Sequence, residues 1–318
     1  MKLFYSRERF SFFIRTYVSL RLSIIPQLKD FANLACVLLK TIYNSLMKQL
    51  LEEKFSIPWL LKGLVFFLVA LIFIGWIYYS PPGLLGKADA IGYAVCHRID
   101  ARTFHLGDRQ LPLCARCSGM FLGALIGLVY QTATRPRRAG MPHWSVMIVL
   151  FILAGSFALD GLNSYIQLFP GAPSLYETQN WSRLLTGSGM GLAISGLLFP
   201  AFNQTVWEKW YATPAIKNLG SMIILLVLTL FFDIMILSEN PFILYPLAIL
   251  SSLSVILLLT LVYTMVLLMV FRKENYFQNI TQLVFPLVGG FGVALLQIIL
   301  LDLVRYLFTG TWEGFKIG

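Results

Sequence analysis

Seven apolar stretches, at about 58–80, 115–131, 144–162, 184–201, 219–237, 242–271 and 281–303, limit what this chain can fold into more than any other feature. Each is long enough to cross the ~30 Å hydrocarbon layer of a bilayer as a helix, which pairs its backbone N–H and C=O groups internally. With 58% of residues apolar and 13% charged, the chain also lacks the charge needed to cover a soluble surface of this size. The expected fold is all-α, a polytopic membrane bundle of about seven helices over residues 58–310. A basic segment at 1–57 precedes it and a short tail at 311–318 follows. In the first segment Lys40, Asn44, Lys48 and Glu52 recur opposite Ala35, Leu39, Ile42, Leu46 and Leu50, the pattern of an amphipathic helix lying on a membrane surface. Arg7, Arg9, Arg15 and Arg21 interrupt the opening residues, so no cleavable signal peptide is expected.

The net charge of +10 does not point to nucleic acid, because the basic residues sit in short clusters between apolar stretches rather than on one face. They read as topology signals and contacts to membrane lipids. Arg135, Arg137 and Arg138, then Lys209 and Lys217, then Arg272 and Lys273 occupy alternate loops. The positive-inside rule makes these loops and the N-terminus cytoplasmic. Residues 81–113 then fall outside although they hold Lys87, Arg98, Arg102 and Arg109; the arginines among these are read as part of a site.

Small residues recur at every fourth position in two spans, Gly119, Gly123 and Gly127 in the second and Gly187, Gly191 and Ser195 in the fourth. Such spacing lets helix backbones approach closely where no hydrophobic effect drives association, so these two spans are expected to be neighbours.

Three of the four cysteines fall between positions 96 and 117, while Cys36 stands alone and reads as a small apolar residue. Pro112 precedes Cys114-Ala115-Arg116-Cys117, a C-x-x-C that runs into the glycine-bearing second span. Both thiols therefore sit at a helix N-terminus, where the dipole favours thiolate. With Cys96 and His97 upstream, this spacing suits a tetrahedral site for zinc or another divalent metal, with Cys96, His97, Cys114 and Cys117 as ligands. Side chains of adjacent residues usually diverge, so His105 is the alternative to His97. A disulfide between two of the three cysteines is the competing reading. Polar residues at the same ends of other spans point to this region: Asp160, Arg183, Thr186, Asp233, and Asp302 with Arg305, the last two read as an interfacial pair.

Residues from about 92 to 192 resemble the family of predicted membrane proteins known as domain of unknown function 2085. The resemblance rests on Cys96-His97, Arg102, Phe104, Gly107, Pro112, Cys114 through Gly119, Gly123, Asp160-Gly161, Arg183 and Thr186-Gly187. Thr103 and Ser118 stand where Ser and Thr are expected, exchanges that keep the hydroxyl. The resemblance implies a membrane location and a shared polar site, and no reaction.

The expectation is a site organised by the Cys/His metal on the non-cytoplasmic face, where Arg102, Arg116 and Arg183 receive an anionic substrate such as a lipid head group. If there is chemistry, Asp160 is the candidate general base. One alternative is a membrane thiol–disulfide oxidoreductase using the C-x-x-C. Another is a transporter, or a subunit of a homo- or hetero-oligomeric membrane complex with a purely structural metal or disulfide.

Overall fold

A computed structural model describes residues 59–167, 169 and 174–312. The amphipathic segment expected over 1–57 and the end of the tail lie outside the described residues. The chain divides into two units, Met1–Lys62 and Gly63–Gly318. Apart from the first turn of α1, the helices and strands among the described residues all belong to the second unit.

Among the described residues there are eight helices, seven of them long and apolar enough to cross a membrane. They are α1 (Trp59–Tyr79), α2 (Leu84–Val95), α3 (Ala115–Thr134), α4 (Trp144–Ile166), α5 (Asn180–Val206), α6 (Leu219–Leu237), α7 (Pro241–Val270) and α8 (Ile280–Thr309). The protein is an integral, multi-pass membrane protein, and large apolar side chains such as Phe67, Phe151, Ile152, Ile223, Val227 and Leu253 face outward where lipid would be.

The centre is the α3–α5 pair that the glycine spacing predicts. A Cβ on Gly123 would lie 2.4 Å from the Ser188 carbonyl oxygen, and one on Gly191 would lie 2.2 Å from that of Met120. Gly119 meets Leu184 and Ser188 while Gly127 meets Ser195, so the two helices run in the same direction in close backbone contact. α5 is the most enclosed spanning helix and α1 the most exposed. α7 and α8 form an antiparallel hairpin, with Gly290 against Thr260 and Thr264 and the Tyr263 hydroxyl donating to Gln297 at 2.7 Å.

The short helix α2 was not expected; the segment 81–113 reads as a loop. It is small-residue-rich and buried, with Gly86, Ala88, Ala90, Ile91, Gly92 and Tyr93 enclosed. After it come a 3-10 turn at Asp100–Arg102 and a two-stranded hairpin, β1 (His105–Leu106) with β2 (Arg109–Gln110), turned by Gly107 at a φ of +63°. At the opposite end of the bundle β3 (Arg138–Gly140) pairs with β4 (Tyr211–Pro214), and Arg137 stacks on Trp207 and donates to the Gln278 carbonyl. The basic loops are thereby gathered at the end away from the cysteines.

Candidate metal centre and the arginine cluster

Contact between α2 and the entry to α3 builds the cysteine site. At Gly92 the backbone passes so close to Pro112 that an added Cβ would lie 1.9 Å from the Pro112 carbonyl oxygen. Cys96 is one turn after Gly92 and donates its N–H to the Gly92 carbonyl at 2.8 Å, while Cys114 is two residues after Pro112. One close approach therefore brings two cysteines together that are 18 residues apart in sequence. The Cys114 N–H donates to the Cys96 sulfur at 3.4 Å.

Ligand atoms of Cys96, His97 and Cys114 all lie within 4.8 Å of one another. His97 Nδ1 is 3.8 Å from the Cys96 sulfur. Neighbouring side chains can converge here because the chain leaves α2 extended at Cys96 and then turns at Arg98, which has a left-handed φ of +51°. Cys117, in the first turn of α3, packs against the same cluster but is not among the three residues whose ligand atoms lie within 4.8 Å of one another. His105 is elsewhere, on β1, where its Nε2 pairs with the exposed Asp100 at 2.9 Å. Among the described residues the three sulfurs form no disulfide, and Val255, Leu295 and Ile298 of α7 and α8 wall them in. The cluster is thus enclosed by the bundle rather than carried on an open loop.

Hydrogen bonds from Cys114 and Cys117, joined by His97, outweigh burial and hold the Cys96 thiol well below the usual thiol range. Cys114 is pushed up to about 12. The bond it receives from Cys117 is outweighed by its donation to Cys96, by burial and by the nearby Cys96 charge. Cys96, rather than the thiols at the helix terminus, collects the donors that favour the charged form.

The donor set fits a zinc-type ion. Thiolates at the ~2.3 Å distance of a tetrahedral zinc site stand about 3.8 Å apart, which is the scale of the separations found here. Cys96, His97 and Cys114 supply three ligands, and Cys117 as a fourth would leave no open position.

Beside the sulfurs lies a polar cluster joining α3, α4 and α5. Asp160, fully buried, accepts at Oδ2 from the guanidinium of Arg116, with Nε at 3.1 Å, and at Oδ1 from the Tyr176 hydroxyl at 2.8 Å. Arg116 also donates to Ser164 Oγ at 2.7 Å, and Arg102 donates to the Ser164 carbonyl at 2.9 Å. Arg183 reaches Asn180 at 2.9 Å and Thr178 at 2.5 Å, and its buried Nε has no hydrogen-bond partner among the described residues. Burial and the charge of Arg116 draw the Arg102 guanidinium below its ordinary value. Asp160 is in electrostatic reach of all three arginines, and so is Cys114 for Arg102 and Arg183.

Thus Arg102, Arg116, Asp160 and Arg183, chosen from sequence, stand together, with Ser164, Tyr176 and Thr178 as partners that sequence reading missed. The first two carry no periodic signal. Thr178 lies just before the fourth span among loop residues, where a hydroxyl attracts no notice. Asp233 is also buried but lies apart, accepting from Ser188 on α5 at 2.6 Å.

The family model described as "Predicted membrane protein (DUF2085)" matches residues 96–197, from the first of the clustered cysteines into α5. An uncharacterized protein of Methanocaldococcus jannaschii is 26% identical over 123 residues, 38% of this chain and 72% of the relative. An uncharacterized protein of Methanothermobacter thermautotrophicus is 30% identical over 102 residues, 31% of this chain and 82% of the relative. No solved structure matches. Since the family model covers the segment that holds the cysteines and the arginines, and four-fifths of the second relative aligns with this chain at 30% identity, the chain belongs to the DUF2085 family of predicted membrane proteins.

Proposed function

We propose that Cys96, His97, Cys114 and Cys117 hold one divalent metal, zinc by the softness of the donors, and that the metal organises an anion-receiving site made by Arg102, Arg116 and Arg183. The observation that carries this reading is the convergence of Cys96, His97 and Cys114 within 4.8 Å, inside a wall of apolar side chains. When bound, such an ion supplies folding free energy rather than an open coordination position.

The chain's own residues do the rest. Arg116 lies between Cys114 and Cys117, so tying both sulfurs to one centre fixes the first turn of α3 from which Arg116 extends. Asp160 and Tyr176 hold that guanidinium in place, with both carboxylate oxygens engaged. Three guanidinium groups share one carboxylate, and a zinc with three thiolates and a neutral imidazole carries one net negative charge. One positive charge is left over, and an anionic group entering the cluster would balance it. Phosphate or carboxylate of a lipid head group matches the paired N–H donors of guanidinium. The basic loops at the opposite end support placing this site on the non-cytoplasmic side.

The test is metal analysis of the detergent-purified full-length protein, with thiols counted before and after chelation. The expected result is close to one metal per chain, released in Cys114→Ser and Cys117→Ser but retained in Cys36→Ser. A metal-free protein with two thiols missing until reduction would replace the metal by a disulfide and overturn the reading.

A further inference from the structure

Arg305, near the end of α8, is more than 200 positions from Cys96 and His97 and outside the residues matched to the family. Its guanidinium nevertheless reaches the backbone that presents the first two ligands. Nη1 donates to the carbonyls of Tyr93 and Cys96, both at 2.6 Å, and Nη2 donates to the carbonyl of His97 at 3.2 Å. The guanidinium carbon is 4.0 Å from the centre of the Tyr93 ring. The chain end closes over this point: the Tyr93 hydroxyl bonds Thr309 and the Thr311 carbonyl, both at 2.7 Å, and Trp312 packs on the Tyr93 and Tyr306 rings.

We propose that Arg305 is a positioning residue for the metal centre, by which the last helix fixes the Cys96-His97 segment in its ligating conformation. This rests on the metal reading above. The last carbonyls of a helix lack intrahelical partners, and a cation there is favoured by the helix dipole. Charge-assisted bonds to three carbonyls constrain the dihedrals from Tyr93 to Arg98. That is the stretch that must turn two adjacent side chains to one side. The planar fork of guanidinium lets two nitrogens reach the three carbonyls while the ring of Tyr93 stacks on its face; an ammonium group is a single point charge without that fixed geometry. A partner of this kind acts as an outer-shell support of a metal ligand, whose loss weakens metal binding about 10- to 100-fold.

The experiment is Co²⁺ titration of the detergent-purified, metal-stripped full-length protein, read by thiolate-to-cobalt absorption and by competition with a chelator. Wild type is compared with Arg305→Ala, Arg305→Lys and, at the far end of the bundle, Arg272→Ala. The expected result is a loss of affinity of about 10- to 100-fold with an altered cobalt spectrum in Arg305→Ala. Arg305→Lys, which retains a cation, should fold and still bind more weakly than wild type, while Arg272→Ala should match wild type. If Arg305→Ala fails to fold, Arg305→Lys decides the matter. Wild-type affinity and spectrum in a folded Arg305 variant overturn the positioning role alone. Absence of cobalt binding by wild type overturns the metal reading itself.

Discussion

Replacing Gly92 by alanine places a Cβ 1.9 Å from the Pro112 carbonyl oxygen and 2.7 Å from its carbon, whereas ordinary contact begins near 3.4 Å. Both obstacles are backbone, so no side chain can turn away; the end of α2 and the entry to α3 must separate by about 1.5 Å. Cys96 hangs one turn beyond Gly92 and Cys114 two residues beyond Pro112, so the separation passes directly to the sulfurs. Overpacking of this kind costs about 1–3 kcal/mol. Expressed as metal affinity that is a loss of roughly 5- to 150-fold, at about 1.4 kcal/mol per tenfold. The assay is chelator competition on purified protein, paired with a thermal melt. Gly155→Ala is the control, because nothing among the described residues lies within 4 Å of a Cβ there and alanine favours a helix by up to ~1 kcal/mol. If Gly92→Ala binds metal as tightly as wild type and melts at the same temperature, the backbone contact does not hold the site together.

Gly123→Leu should push α3 from α5, since even a Cβ would meet Ser188 backbone, and should lower the yield of folded protein on gel filtration. Asp160→Asn should destabilise by on the order of 3–5 kcal/mol, because it leaves the largely buried Arg116 without its counter-charge, measured by denaturant unfolding in detergent. Arg183→Ala should keep the amount of folded protein and weaken binding of a fluorescent phosphatidic acid several-fold; equal loss of folded protein in both arginine-cluster variants would leave Arg183 a structural residue. In the metal-free protein, thiolate absorbance should show one thiolate formed well below the ordinary thiol range, at Cys96, and Cys114 ionising only near 12. Because the Cys96 value is depressed on folding, its contribution to stability is lost as pH falls through that value. The Cys114 value is raised, so its contribution, full below the ordinary thiol value, is lost as pH rises toward 12.

The spans and the α3–α5 contact were legible because both are periodic: long apolar runs, and small residues on one helix face. Helix α2 was not, since twelve residues containing Gly86, Ala88, Ala90 and Gly92 are too short to span and too small to show an apolar face. Its neighbours explain why the basic residues of 81–113 contradict the charge rule. Lys87 donates to the Ile77 and Ser80 carbonyls, Arg98 and Arg109 both bind Asp89, and Arg102 binds Ser164, so these are internal partners more than topology signals. The cysteines were legible by spacing, but the convergence of Cys96 with His97 was not. It depends on a left-handed Arg98 and on Arg305, a contact between residues 208 apart that no local pattern encodes. Reading Asp302 and Arg305 as an interfacial pair missed this role for the same reason.

X-ray absorption at the zinc edge of the purified full-length protein tests the metal site most directly, because it counts and identifies the atoms around the ion. Three sulfurs at about 2.3 Å and one nitrogen at about 2.0 Å are expected, with the nitrogen lost in His97→Ala and kept in His105→Ala. A shell dominated by oxygen, or one that loses its nitrogen in His105→Ala instead, would contradict a centre built from Cys96, His97, Cys114 and Cys117.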